Sequence, residues 1–484
     1  MSMSNSLSPS SAAAGKTDDN APSPTMKANA AQEALESQGY KQELKRSLST
    51  SALVVYGMVF IVPIAPMSIF GVVFNLSHGM VALTYIIGFV AMLFTAMSYR
   101  IMANTIPTAG SVYSYVGAGL GKKVGFLSGW LILLDYLLFP TLAAVLGAVA
   151  MHSILPQVPQ ILWIIIYIGL STLANYMGVT WADSLDKVLL LCQIVIFILF
   201  VWFAGAAVLH GVNGAHVTMR PFFDASNFSL DFVFTAISVA ALNFLGFDAI
   251  STLSEEAKGG GKSVGRAIII SLVLVIFCFV TLTALAVWLV PDVTSFKGDT
   301  ATNEAFFDIA YMVGGTPLKV ACAAGVSVLS AVGNVLTSQA AVSRVLYSMG
   351  RDHMLPSSLG KVSVKRQTPY VATFLVGAIA LVLGFIFVGD VSMISSLVNV
   401  GALSSFALLN LSVMVLFLGR KKERGCKAMV SKGLFPLLGF GILIYVMIHA
   451  QANALIVGAL WFVVGLVVLI VQQTRGGKAE LDLG

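Results

Sequence analysis

Charge is what this sequence has least of: aspartate, glutamate, lysine and arginine together make up 10% of its 484 residues, against 57% hydrophobic ones. With a mean hydropathy of +0.90, there is too little polar surface to cover a soluble globule, so the chain reads as a polytopic membrane protein. Cysteine is scarce as well. Cys192, Cys278 and Cys322 fall in apolar stretches and Cys426 outside them, which yields neither a disulfide nor a metal framework. The histidines are scattered without ligand spacing, so no metal and no cofactor is expected. KGGGKSVG (Lys258–Gly265) contains Gly-Lys-Ser, but the first glycine of a phosphate loop would fall at Glu256, and no βαβ pattern follows. It reads as a flexible basic loop, which counts against an ATP-driven pump. An integral-membrane enzyme would need paired carboxylates, histidine ligands or a nucleophile with its base on neighbouring helices; a channel would need a continuous polar stripe along several helices. Neither pattern is visible.

What is present is a series of apolar runs of roughly 18 residues or more, each about 30 Å of helix. Twelve are expected, near 51–76, 81–103, 124–153, 161–181, 187–209, 230–254, 265–290, 318–347, 371–388, 391–417, 433–449 and 452–472. Lysine and arginine set the orientation, because cytoplasmic loops carry the excess. With the N-terminus inside, only Arg220, Lys297 and Lys319 of the 28 basic residues fall outside. Both termini are therefore expected in the cytoplasm, and the net charge of +6 reflects topology, not nucleic-acid binding. Residues 1–40, rich in Ser, Ala, Asn and Pro, lack the basic-then-apolar order of a cleaved signal peptide and are expected to form a disordered cytoplasmic tail. Gln32–Ser47 suggests a short amphipathic segment on the inner face, and 476–484 a second cytoplasmic tail.

Two spans are expected to break. In span 1, YGMVFIVPIAPMSIFG places Pro63 and Pro66 three residues apart, which removes two backbone donors and predicts an unwound stretch around 59–63. A merely kinked helix is the alternative. In span 6, ALNFLGFDAISTLSEE (Ala241–Glu256) sets Gly246 and Asp248 in mid-membrane. A carboxylate there costs roughly 2.5–3.5 kcal/mol on insertion scales, so it should face the bundle interior or an aqueous cavity. Broken helices at matching positions, five spans apart, are what an inverted repeat of five plus five requires, with the site between them.

Four segments then point to one family: PTAGSVYSYVGAGLGKKVGFLSGW (Pro107–Trp130), FLGFDAISTLSEE (Phe244–Glu256), SRVLYSMGRDHMLP (Ser343–Pro356) and VNVGALSSFALLNLSV (Val398–Val413). The chain resembles the amino acid–polyamine–organocation superfamily of secondary transporters over about residues 44–475. Within it, GFDAxxTLSEE, LLDYL and SRxLYxMGRD are most similar to bacterial putrescine importers. The resemblance implies an all-α LeuT-type fold of twelve helices, with a first repeat at 51–209, a second at 230–417 and two further helices at 433–472, inside a transporter domain of 41–475. It also implies a central site between helices 1, 3, 6, 8 and 10.

The sequence departs from the family at instructive points. Amino-acid carriers of the superfamily hold the α-carboxylate on backbone amides of helix 1, where this chain has Pro63, Ile64, Ala65 and Pro66; the prolines have no amide hydrogen to give. Putrescine importers carry an aspartate a little further on, where this chain has Ser68. Proton-coupled members often have a lysine in helix 5, where Gln193 stands here. Glutamine does not titrate, so proton coupling falls to Asp135 in LLDYL and to Asp248.

The expected substrate-binding residues are thus Pro63, Ala65, Ser68, Asp135, Phe244, Gly246, Phe247, Asp248, Ser338 and Asn399, with Asp135, Gln193 and Asp248 as coupling candidates. Asp135 and Asp248 could instead make purely structural bonds, the latter as a helix cap. Ser338, Gln339, Asn334 and Asn399 could equally serve interhelical hydrogen bonds, and Tyr113, Tyr115, Phe244, Phe247 and Tyr347 could be packing. Glu255 and Glu256 read either as an inner gate paired with a base such as Arg344, Arg100 or Lys45, or as a solvated helix end. The function expected is import of a small cationic amine, polyamine or amino acid across the bacterial inner membrane, with the proton as coupling ion and no nucleic-acid partner. An exchanger is the alternative, and a channel or transporter-derived sensor a more distant one.

Overall fold

A computed structural model describes residues 43–155, 157–388, 391–448 and 452–474. The tails expected at 1–40 and 476–484 lie outside the described residues, as does most of Gln32–Ser47, whose described end is non-helical. About 80% of the described residues are helical, and among them there is no β-strand. Hydrocarbon offers no partner for backbone N–H and C=O groups, so apolar segments must satisfy them internally, and the helix does so within one segment.

The helices are α1 (Thr50–Ile61), α2 (Pro66–Leu76), α3 (Val81–Thr105), α4 (Ser111–Leu120), α5 (Lys122–Ile154), α6 (Gln160–Met177), α7 (Val179–Leu209) and α8 (Leu230–Ala240). They continue with α9 (Gly260–Trp288), α10 (Asp299–Ala324), α11 (Ala331–Arg351), α12 (Tyr370–Ile386), α13 (Val391–Met414), α14 (Phe435–Ile448) and α15 (Ala452–Thr474). By length and composition, eight helical segments of the described residues can cross a membrane. Two further pairs qualify as bent spans, Thr50–Ile61 with Pro66–Leu76 at 53° and Asp231–Ile237 with Ala241–Leu253 at 47°, and Tyr370–Ile386 and Leu455–Val471 are shorter apolar helices.

Proline chemistry explains the first bend. The α1 ladder persists until the Val62 N–H donates to Met58 O at 2.8 Å; Pro63 then has no hydrogen for the Val59 carbonyl. Pro66 opens α2, where a missing donor costs nothing. The unwound stretch is therefore 62–65, a turn later than the 59–63 read from the sequence: the Val62 N–H still closes the α1 ladder on Met58 O, and the backbone leaves the helical path only at Val62 itself, at φ 60°. In the second bent pair, the α8 helix tightens to 3-10 turns at Ala241–Phe244 and resumes as 3-10 at Asp248–Leu253. Gly246, between them, has φ +109°, a conformation that side chains other than hydrogen resist.

Two boundaries also differ from the sequence reading. Ala301–Arg351 passes as one 51-residue apolar stretch, about 75 Å if straight, over twice the hydrocarbon thickness. Gly315, at φ 64° beside Pro317, breaks it, and a π-helical turn at Gly325–Ser330 follows. Helix α7 begins at Val179, eight residues before the expected 187, so Asp183, Asp186 and Lys187 belong to it. Its exposed Trp181 and Trp202 stand about 31 Å apart at 1.5 Å per residue, as aromatic residues at the two interfaces of a bilayer do. The centre of the bundle is α5, nearly all of whose apolar stretch is buried, whereas most of α6 and of α7 faces outward.

Candidate functional site

The site is built where the second break meets α5. A Cβ on Gly246 would fall 2.0 Å from the Phe60 ring, so the last turn of α1 presses directly on the break. Asp248, fully buried, serves as a local cap: Oδ1 accepts the Gly246 N–H at 3.3 Å, and Oδ2 accepts the Tyr136 hydroxyl in a short bond. The neighbouring Asp135 is also buried, and its Oδ1 has no hydrogen-bond partner among the described residues. The two carboxylates act on each other electrostatically. Helix α13 closes on Asp135, since a Cβ on Gly401 would lie 2.8 Å from the Asp135 nitrogen. Among the described residues no lysine or arginine forms an ion pair with either carboxylate.

The remaining candidates divide by what their side chains touch. Pro63 is buried, Ala65 half-buried and Ser68 exposed, its hydroxyl donating to Ala65 O at 2.7 Å. Phe247 packs with Tyr99 and Phe406, at centroid distances of 5.7 and 5.5 Å, and Phe244 with Tyr85 and Phe279 at 6.0 and 5.4 Å. Ser338 donates within its own helix, to Asn334 O. Asn334 Oδ1, Asn399 Oδ1 and both polar atoms of Gln193 are buried without partners among the described residues. Gln193 has a definable place. Leu189 and Ile196, on the same face of α7 one turn to either side, reach Gly333 and Gly325 beyond it, where Val59 and Ile64 also arrive. Gln193 is therefore level with the unwound stretch of α1–α2.

At the end of the bundle that carries the basic loops, the segment after Asp248 is tied down by charge. Glu255 and Glu256 are buried, at 0% and 1% exposure, so the solvated-end alternative does not describe them. Glu256 pairs with Arg344, as one sequence alternative had it. Glu255 is held by Arg351, whose Nη2 and Nη1 donate at 2.9 and 3.1 Å, and by the Ala109 N–H at 3.0 Å. A strap from the N-terminal side completes the closure: Ser47 and Leu48 donate backbone N–H groups to Glu256 O at 3.0 Å each, and Lys258 N–H donates to Leu48 O at 2.8 Å. Tyr347 bonds Glu43 and Tyr113 bonds Asp352 at this same end.

Three residues were missed by the sequence reading. Tyr136 follows Asp135 in LLDYL and is the hydroxyl donor to Asp248; its signal was a polar tip inside an apolar span. Arg351 lies within the quoted SRVLYSMGRDHMLP segment but carries no periodic cue that aims it at Glu255. Asp186, 2% exposed, falls between the expected spans 161–181 and 187–209.

The sequence profile of the amino acid permease family matches residues 47–472. The chain is similar to the low-affinity putrescine importer PlaP of Escherichia coli, 29% identical over 88% of this chain and 93% of the importer. It is also similar to the branched-chain amino acid permease BcaP of Bacillus subtilis, 26% identical over 90% of this chain and 95% of the permease. The methylthioribose transporter of Bacillus subtilis is 26% identical over 92% of this chain and 96% of that protein.

Proposed function

Because this chain belongs to the amino acid permease family, and so is a membrane transporter and not an enzyme, we propose that it imports a small cationic amine by proton-driven alternating access. The observation that carries the reading is the pair of buried carboxylates, Asp248 and Asp135, beside a broken helix and with no cationic side chain paired to them among the described residues. An ammonium group supplies the missing charge and donates to the unpartnered Asp135 oxygen through charge-assisted bonds. The prolines at 63 and 66 support an amine over an amino acid, since they withhold backbone donors that an α-carboxylate would use. Putrescine, the cargo of the similar importer, fits this chemistry, whereas branched-chain amino acids, the cargo of the similar permease, are the competing substrate class.

The same reading has twelve crossings in a five-plus-five inverted repeat with two further helices, supported by the two bent spans. Both termini sit in the cytoplasm, on the evidence of the lysine and arginine asymmetry, and the membrane is a bacterial inner membrane. Gln193 favours one second reading. A non-titrating amide level with the unwound stretch suits an exchanger, which needs no proton.

Proteoliposomes loaded at neutral pH and diluted into acidic buffer should accumulate radiolabelled putrescine, and unlabelled putrescine should compete better than leucine. Asp248→Asn should abolish accumulation. Wild-type uptake rates in Asp248→Asn would remove that residue from the site. Accumulation without any pH gradient, driven only by internal unlabelled amine, would select the exchanger.

A further inference from the structure

Helix α7 carries a buried carboxylate that the substrate site does not use. Asp186 lies two turns inside the helix, 2% exposed, and its Oδ1 has no hydrogen-bond partner among the described residues. On its own helix, Asp183 acts on it, while Lys187 is paired with Asp183. From α11 the guanidinium of Arg344 acts on it, without an ion pair. Arg344 is already committed: Nε serves Glu256, and Nη1 donates to Ala340 O at 2.7 Å. From α1, the phenol of Tyr56 faces the same cluster, but its hydroxyl donates to Thr337 O at 2.7 Å. Helices α6, α9 and α10, which also pack on α7, bring no charged group to Asp186 among the described residues.

The charges of this cluster do not balance. Two carboxylates, Glu256 and Asp186, share one guanidinium in a region closed to water, and an uncompensated buried charge is strongly unfavourable. One carboxyl must be neutral while the Glu256–Arg344 pair is closed. Glu256 holds the short bond, so the neutral one is Asp186. Opening the basic end requires Glu256 to leave with the strap that its carbonyl holds at Ser47 and Leu48. That frees Arg344 to turn to Asp186.

We propose that Asp186 is the proton carrier of the gate: protonated while Glu256 holds Arg344, and ionised when Arg344 is released to it. On opening, the O–H bond of the Asp186 carboxyl breaks and its proton passes to water admitted at the basic end; on closing, one proton is taken back from water. No electron moves and no co-reactant is needed. The inference rests on the proton-driven reading above and deepens it. It assigns the coupling to a residue outside the substrate site, on the helix where Gln193 cannot titrate.

Hydrogen exchange at the amides of Ser47, Leu48 and Lys258 measures gate opening without any substrate. After correction for the intrinsic exchange rate, release of one proton makes the opening equilibrium of the full-length protein rise with pH above the ordinary carboxylate range, by up to about tenfold per pH unit. Asp186→Asn, a neutral isostere of the protonated residue, should abolish that slope, and Asp186→Glu should restore it. A flat wild-type profile, or a slope that persists in Asp186→Asn, overturns the proposal. The parallel arm uses proteoliposomes, an imposed pH gradient and radiolabelled putrescine. Wild-type protein that fails to accumulate the amine while its gate still opens with pH refutes the transport reading alone. Asp186→Asn that accumulates it at the wild-type level refutes Asp186 alone.

Discussion

Substituting alanine for Gly246 tests whether the break in the second bent span is a built feature. Two costs add. The backbone at φ +109° is one that a side chain tolerates poorly, at roughly 1–3 kcal/mol. The new methyl would also sit 2.0 Å from Cδ1 of Phe60 and 2.5 Å from Cγ, and forced overpacking costs about 1–3 kcal/mol more. Phe60 is also held by Phe139, whose ring lies at a centroid distance of 5.1 Å. The expected loss is about 2–6 kcal/mol. At roughly 2–4 °C per kcal/mol for domains of 150–250 residues, and less for a longer chain, the Tm of detergent-purified protein should fall on the order of 5 °C. A double-mutant cycle with Phe60→Ala separates the terms: relief of the overlap should appear as coupling of about 1–3 kcal/mol, leaving the backbone strain behind. A Tm of Gly246→Ala within error of wild type would refute both the conformation and the contact. Zero coupling would refute the contact alone.

Three other outcomes follow from contacts at the periphery. Arg351→Met leaves the Glu255 carboxylate buried without its bidentate partner and should cost about 3–5 kcal/mol, read by thermal unfolding; the double variant Glu255→Gln with Arg351→Met should recover much of it. Trp130 and Trp461 stack at 4.9 Å, and each indole N–H donates to the other's carbonyl, at 3.0 and 2.8 Å. Trp461→Phe should lose about 1 kcal/mol and Trp461→Ala about 3–5 kcal/mol, with faster proteolysis of α15 marking its undocking. In the loop before α8, hydrogen bonds from Ser226 and Asn227 hold the Asp224 carboxyl below its ordinary range. Its stabilising effect is therefore present above the usual carboxylate pKa and lost as pH falls through the lowered one. Asp224→Ala should lower stability slightly at neutral pH, and that difference should vanish in strong acid.

Much of the fold was legible because hydrocarbon imposes its rules on sequence one segment at a time. A run of apolar residues long enough to cross reads the same in the chain and in space, and a proline inside it must free a carbonyl wherever the helix packs. So the bend at 62–65 was anticipated within one turn, and the helical turns do part at Gly246, but the 47° bend of that span falls earlier, between Ile237 and Ala241. The start of α7 was not anticipated, because Asp183 and Asp186 look like a loop until the Asp183–Lys187 pair within the helix and the buried environment of Asp186 are known. Ser338 illustrates the opposite case: its polarity stood out in the sequence, yet its hydroxyl is used by its own helix.

By itself, then, the sequence determined that the chain spans a membrane, where two spans break and which carboxylates are costly enough to need a reason. Each of these is a property of local composition or of backbone chemistry. Tertiary structure decided which partners those groups meet. Tyr136 on Asp248, Arg351 on Glu255, Arg344 on Glu256 and the strap at Ser47 and Leu48 are set by how distant helices cross, and a crossing leaves no pattern along one chain. Asp186 shows the consequence most clearly: only when Arg344, already paired with Glu256, comes to act on it does an unremarked aspartate become a charge that must be balanced.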